Sequence, residues 1–139
     1  MFDHYLNMIV ISIVSGLMSG MWVWADKPSD IRLSLNDVYM ALLMTALMIF
    51  FMALLDKQYV WLTGSVLVAL AVLWFIRTQT FIDKRQYFKG MIPHHSMAVH
   101  TSKRLLENDS TLSGAEAQFV NNIIQTQMQE IQWMKMRDT

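Results

Sequence analysis

Three of the chain's four histidines lie within twelve residues, KGMIPHHSMAVH at positions 89–100. His94 and His95 are adjacent, and Met91, Met97 and His100 follow the same stretch at spacings of three or four residues. Residues at these spacings are neighbours on one face of a helix. Imidazole and thioether groups without a thiolate are soft to borderline ligands, which suit Cu(I), or Ag(I) as its mimic, better than zinc, magnesium or calcium. The pattern therefore indicates a Cu(I) site, with another transition metal as a further possibility.

A structural role for the same histidines is equally compatible with the spacing. Buried polar side chains must find hydrogen-bond partners. His94 and His95 would then bond to Gln127, Glu130 or a backbone carbonyl, and would only set the register of a helix bundle. In that case the chain is a scaffold protein of the membrane, and the spacing alone does not decide between the two interpretations.

Composition excludes several other kinds of site. The absence of cysteine removes disulfides, thiolate metal sites, iron–sulfur clusters and cysteine nucleophiles. Zero net charge gives no electrostatic case for binding nucleic acid. No glycine-rich phosphate loop, catalytic triad or cofactor motif is present, so we predict no catalytic residue. A small membrane-bound enzyme that uses a bound metal for redox chemistry remains a second alternative.

Three apolar segments must position this stretch. Residues 5–25, 38–55 and 58–76 contain no Asp, Glu, Lys or Arg, and each is long enough to cross a bilayer core of roughly 30 Å. We predict a membrane domain over residues 1–77, with transmembrane helices at about 5–25, 37–55 and 58–77. The first segment lacks the basic start of a signal peptide, so we expect it to be retained. Its small residues Ser12, Gly16 and Gly20 share one face, which predicts close packing on a neighbouring helix or in a dimer.

Basic residues predict the orientation of these spans. With three crossings, the first loop and the C-terminal region share one side of the membrane, and that side carries most of the lysines and arginines. The positive-inside rule then places the C-terminal region in the cytoplasm of a bacterial-type inner (plasma) membrane, with a periplasmic location as the alternative.

The C-terminal region, residues 78–139, has the pattern of a helical hairpin. We predict one helix over residues 79–106, continuing out of the third span, with a kink or a new helix start at Pro93. A second helix over about 115–137 begins with a capping box, Ser113 to Glu116. Both apolar seams become polar in the middle, at His94 and His95 in one helix and at Gln127 and Glu130 in the other, so these residues are predicted to face each other. A two-helix hairpin buries too little to be stable alone, which favours a homodimer that completes a four-helix bundle.

Two motifs of the hairpin resemble a known family. MIPHH at residues 91–95 and QxxEIxxM at 127–134 are similar to the family of domain of unknown function number 305. The resemblance implies a ferritin-like bundle that binds copper or silver in some members, for metal tolerance. It also implies a ligand set, carried over position by position: Met91, His94, His95, Gln127, Glu130 and Met134.

Together these observations predict an all-α chain with three transmembrane helices and a C-terminal metal-binding hairpin. Its predicted function is binding, buffering or hand-off of Cu(I) or Ag(I) rather than catalysis. The expected partners are the lipid bilayer, a second copy of the chain, and a protein that donates or accepts the metal.

Overall fold

The computed structural model describes residues 2–137, and helices are the only regular secondary structure in that range. Two short 3-10 turns, Met21–Trp24 and Pro28–Asp30, lie between the first two α-helices. The predicted all-α class is therefore confirmed. The α-helices are α1 Phe2–Met18, α2 Leu35–Leu55, α3 Tyr59–Thr78, α4 Lys84–Asn108 and α5 Gly114–Lys135.

The chain divides into two compact units, and the division does not follow the order of the sequence. The first unit contains the residues up to Gly20 together with Leu35–Ile82. The second unit contains the C-terminal hairpin from Asp83 onward and also Met21–Ser34, the segment between α1 and α2. The grouping of this early segment with the hairpin is not apparent from the sequence pattern.

Three helical segments are long and apolar enough to cross a membrane, and the first unit contains all of them except residues 21–24. These candidate spans are Asp3–Trp24, Leu35–Leu55 and Tyr59–Thr78. In this unit α2 is the central helix, since it packs against both α1 and α3. At one end of the unit the ring of Tyr5 stacks on Trp61 with centroids 4.7 Å apart.

The predicted first span, residues 5–25, agrees with the candidate span Asp3–Trp24, but its last turns are not α-helical. The α-helix ends at Met18, and the chain then turns through Ser19 and Gly20 into the 3-10 turn Met21–Trp24. Glycine is a poor helix former. The hydroxyl of Ser19 also bonds to the Gly16 carbonyl at 3.3 Å, which offers the backbone an alternative to further α-helix.

The small-residue face of α1 packs on α2 within the same chain. Ser12 is buried, and its hydroxyl lies 2.7 Å from the sulfur of Met48. A Cβ atom added to Gly16 would lie 2.8 Å from the Cβ of Ala41 and 2.9 Å from its Cα. The small-residue face was predicted to pack on a neighbouring helix or in a dimer, and in the structure it packs on the neighbouring helix α2.

The connection between α3 and α4 also differs from expectation. The predicted helix does not continue out of the third span, because α3 ends at Thr78 and Gln79 adopts a left-handed conformation with φ 50°. A separate helix begins at Lys84, where the Asp83 side chain accepts a hydrogen bond from the Gln86 backbone at 2.7 Å. That helix then runs through Pro93 without a new start there. Asp83 is therefore the start signal that the sequence analysis missed.

The hairpin of α4 and α5 forms the core of the second unit. Its buried cluster contains Phe88, Ile92 and Val99 from α4 and Ile131 and Met134 from α5. The predicted capping box is confirmed, with both reciprocal hydrogen bonds present at the start of α5. The bonds to Ser113 hold the pKa of the Glu116 carboxyl below its ordinary value.

The close approach of α1 to α2 predicts a clear difference between two glycine substitutions. Gly16→Ala places a methyl group against the backbone of Ala41, and such overpacking typically costs about 1–3 kcal/mol. Gly64→Ala on α3 is the matched control, since its new Cβ meets no atom within 4 Å. We expect thermal unfolding in detergent, followed by circular dichroism, to show a lower midpoint for Gly16→Ala only. Equal midpoints for the two variants would contradict the packing described for α1.

Candidate metal-binding site

One histidine and one glutamate meet across the helical hairpin. His95 on α4 and Glu130 on α5 approach to 3.0 Å between Nε2 and Oε2. This contact confirms the predicted register, in which residues in the middle of α4 lie opposite residues near position 130. The His95 side chain is mostly buried, at 13% exposed, whereas Glu130 is 48% exposed.

The other ring nitrogen of His95 determines its tautomer. Nδ1 lies 2.8 Å from the backbone carbonyl oxygen of Met91, one turn earlier in α4. A carbonyl oxygen only accepts hydrogen bonds, so Nδ1 carries a proton and donates it. Nε2 is then the nitrogen whose lone pair is available in the neutral ring, and it points toward Glu130. Histidines that bind metals are commonly oriented by such a second hydrogen bond.

Two methionines line the same cleft as the His95–Glu130 pair. A cleft of about 460 Å³ is lined by His95 and Glu130 and also by Met91 and Met134. Met134 belongs to the buried core, while Met91 is half-buried. The cleft is therefore lined by one histidine, one glutamate and two methionines from two facing helices.

Four of the eight candidate ligands lie apart from this cleft. His94 is exposed, and its ring centroid is 5.7 Å from that of His95. Met97, His100 and Gln127 are half-buried and are not among the residues that line the cleft. Across residues 2–137, no three His, Asp or Glu side chains come together as a metal-binding group. A metal in the cleft would consequently need the methionine sulfurs.

Aromatic side chains form the rest of the cleft. Tyr87, Phe88 and Trp133 line it together with Gln129. The rings of Phe88 and Trp133 meet edge to face at 5.8 Å, and the Arg137 guanidinium lies 3.8 Å from the Trp133 centroid. The sequence analysis did not select Gln129 or Trp133, although each lies beside a selected residue, Glu130 or Met134, on α5.

A second polar cluster on the same hairpin was also missed. Asp30, in the segment between α1 and α2, is only 3% exposed. Its Oδ2 accepts a hydrogen bond from the Ser96 hydroxyl at 2.6 Å, and its Oδ1 is ion-paired with Lys135. The Asp26 backbone amide donates to the Ser96 hydroxyl at 2.9 Å, and the Asp26 carboxylate pairs with Lys103 at 2.7 Å.

This cluster links α4 to α5 through a third element. Ser96 directly follows His95, and Lys135 directly follows Met134, so Asp30 bonds to both helices next to residues that line the cleft. Burial raises the pKa of the Asp30 carboxyl, but hydrogen bonds from Lys135 and Ser96 and the charge of Lys135 outweigh that effect. The pKa of Asp30 consequently lies below its ordinary value.

Comparison with known proteins agrees with the motifs of the hairpin. The model of the family described as "Domain of unknown function (DUF305)" matches residues 75–137. The chain belongs to this family. The match contains α4 and α5 completely, whereas Asp26 and Asp30 lie outside it.

A similar protein extends the likeness beyond the family match. The uncharacterized protein L153 of Acanthamoeba polyphaga mimivirus is 41% identical over 134 residues, which cover 93% of this chain and 87% of that protein. An alignment of this length includes most of the three apolar helices as well as the DUF305 region. No solved structure matches the chain.

The buried ion pair at Asp30 predicts a large effect of a small substitution. Asp30→Asn removes the charge that neutralises Lys135, and breaking a buried pair costs roughly 3–5 kcal/mol. We expect a value at the low end of that range, because Lys135 is 29% exposed. Glu107→Gln is the matched control, since the Glu107–Arg104 pair lies in solvent and such pairs contribute little. The free energy of unfolding of each variant, measured in detergent, tests this difference.

The direction of the Asp30 pKa shift predicts how the destabilisation by Asp30→Asn depends on pH. Because the folded-state pKa is lowered, the stabilisation is fully present above the ordinary carboxyl pKa of about 3.9. It is lost as the pH falls through the lower folded-state value. The stability difference between wild type and Asp30→Asn should therefore shrink in acid. A difference that stays constant down to the acid unfolding transition would show that Asp30 is not charged in the folded protein.

Proposed function

We propose that the chain is a membrane-anchored metal-binding protein whose hairpin takes up Cu(I), with Ag(I) as its chemical mimic. The ligands would be His95, Met91 and Met134, with Glu130 as a further ligand or as a nearby counter-charge. The observation that supports this most is the orientation of His95. Its Nδ1 is held by the Met91 carbonyl, its Nε2 lies 3.0 Å from Glu130 Oε2, and both residues line a cleft that two methionines also line.

The donor set of the cleft suits a soft monovalent ion. Imidazole and thioether are neutral ligands, so they leave the charge of the metal uncompensated, and the Glu130 carboxylate would offset it. Cu(I) and a proton would compete for the same lone pair on Nε2. Metal affinity should consequently fall as the pH is lowered.

The remaining candidate ligands have other roles in this proposal. Gln127, Met97 and His100 lie away from the cleft and are not needed to bind the ion. His94 is exposed, and its ring lies beside that of His95. In this position it would be suited to pass the ion to or from a metal donor or acceptor protein. No side chain is assigned to catalysis, and the proposed role is buffering, tolerance or hand-off.

The proposal also includes a second copy of the chain and a side of the membrane for the hairpin. A second copy of the hairpin would extend its apolar core into a ferritin-like four-helix bundle, and exposed Leu105 and Phe119 on the two helices are available for that contact. The basic residues of the first loop and of the hairpin favour the cytoplasmic side of a bacterial-type inner membrane.

A pair of adjacent histidine variants tests the metal site. We expect the detergent-purified protein to withdraw Cu(I) from a competing chromophoric chelator under anaerobic conditions. His95→Ala should abolish this withdrawal, whereas His94→Ala should retain it, because only His95 points into the cleft. Circular dichroism of both variants controls for loss of helical structure.

Other results of this titration would point to the structural role. If wild type does not compete with the chelator, or if folded His95→Ala competes equally well, His95 serves only the register of the hairpin. That interpretation further expects His95→Leu to preserve or raise stability, since replacing buried polar groups by apolar ones of similar shape can be neutral or better.

The orientation can be tested separately because the chain contains no cysteine. We expect Ser110→Cys, in the turn between α4 and α5, to resist a membrane-impermeant maleimide in intact spheroplasts of an expressing bacterium. The same reagent should modify it after the membrane is permeabilised. Modification in intact spheroplasts would place the hairpin on the outer side instead.

A further inference from the structure

The segment between α1 and α2 buries two of its polar side chains while five of its large apolar side chains are exposed. Asp30 and Ser34 are 3% and 4% exposed. Trp22 is half-buried, and five other large apolar residues are 45–56% exposed: Met21, Val23, Trp24, Ile31 and Leu33. A segment facing water on its outer side would be expected to show the opposite arrangement.

The inward polar groups cannot exchange places with the outward apolar ones. Asp30 is held by Ser96 and Lys135, and Asp26 is held by Ser96 and Lys103. These contacts attach one side of the segment to α4 and α5 of the second unit. Within the second unit, the exposed apolar side chains are consequently held away from these polar contacts.

The position of the segment in the chain indicates that it lies at a membrane surface. The candidate span Asp3–Trp24 includes the first four residues of the segment, and the candidate span Leu35–Leu55 follows it. Only the ten residues 25–34 connect these spans, so both ends of the connection emerge from the same membrane surface. Tryptophan is enriched at that depth, where its ring is amphipathic enough to lie among lipid headgroups.

We propose that residues 21–34 form an interfacial segment that binds the phospholipid surface with its apolar side and the hairpin with its polar side. Trp24, Ile31 and Leu33 insert at the boundary between headgroups and acyl chains, at a depth of about 5–10 Å. The hairpin is thereby held at the membrane through the Asp26 and Asp30 contacts. This proposal does not depend on metal binding and goes beyond it, because it assigns a lipid contact to a segment outside the family match.

Spin labelling of the full-length protein in lipid nanodiscs tests the insertion. Single cysteines replace Leu33 and Ile31 in the cysteine-free chain, with Val23→Cys as a further position if either variant fails to fold. Ser110→Cys, an exposed residue in the turn between α4 and α5, is the matched control. Each label is probed with oxygen, which concentrates in lipid, and with a water-soluble nickel complex.

The accessibilities separate lipid from water and from protein. We expect labels at positions 31 and 33 to be relaxed several-fold more by oxygen than by the nickel complex, and the label at position 110 to show the reverse. Nickel accessibility at 31 and 33 equal to that at 110 would mean that the segment faces water, which overturns the proposal. Protection from both reagents would mean that protein, such as a second copy, covers the apolar side, which also overturns it.

Discussion

The contacts of the buried Asp30 carboxylate with Ser96 and Lys135 are the constraint on which the arrangement of the second unit depends. A charge taken out of water is costly unless it is paired and hydrogen-bonded. Asp30 meets that requirement with one donor from α4, Ser96, and one from α5, Lys135. It can do so only when both helices and the segment between α1 and α2 are in place. The contact therefore makes an early part of the chain a component of the C-terminal unit.

A similar requirement applies to His95 at the centre of the hairpin. Its Nδ1 lies 2.8 Å from the Met91 carbonyl oxygen and its Nε2 lies 3.0 Å from Glu130 Oε2, so both ring nitrogens have a polar neighbour within the hairpin. His95 also lines the same cleft as Met91 and Met134. A histidine that sets helix register and a histidine that is ready to bind a soft ion thus have the same surroundings, which is why spacing in the sequence did not separate the two interpretations.

Local features of the chain were predictable from the sequence. The absence of charge over three long stretches indicated three helices able to span a membrane, and the Ser113–Glu116 pair indicated where α5 begins. These features follow from transfer free energies and from hydrogen bonds between near neighbours. The errors were also local: α1 ends earlier because Ser19 and Gly20 are weak helix formers, and α4 is separated from α3 by the left-handed Gln79 and the cap at Asp83.

The sequence by itself determined the helical class, the apolar helices, the family motifs and the opposition of His95 to Glu130. Tertiary structure decided which candidate ligands share a cleft, because adjacent residues on a helix point in different directions: His95 turns inward and His94 turns to solvent. It also decided the role of Asp30, whose partners lie 66 and 105 residues away in the chain. No periodicity within a helix encodes a contact of that separation, because it arises only when the chain returns to pack against its own early segment.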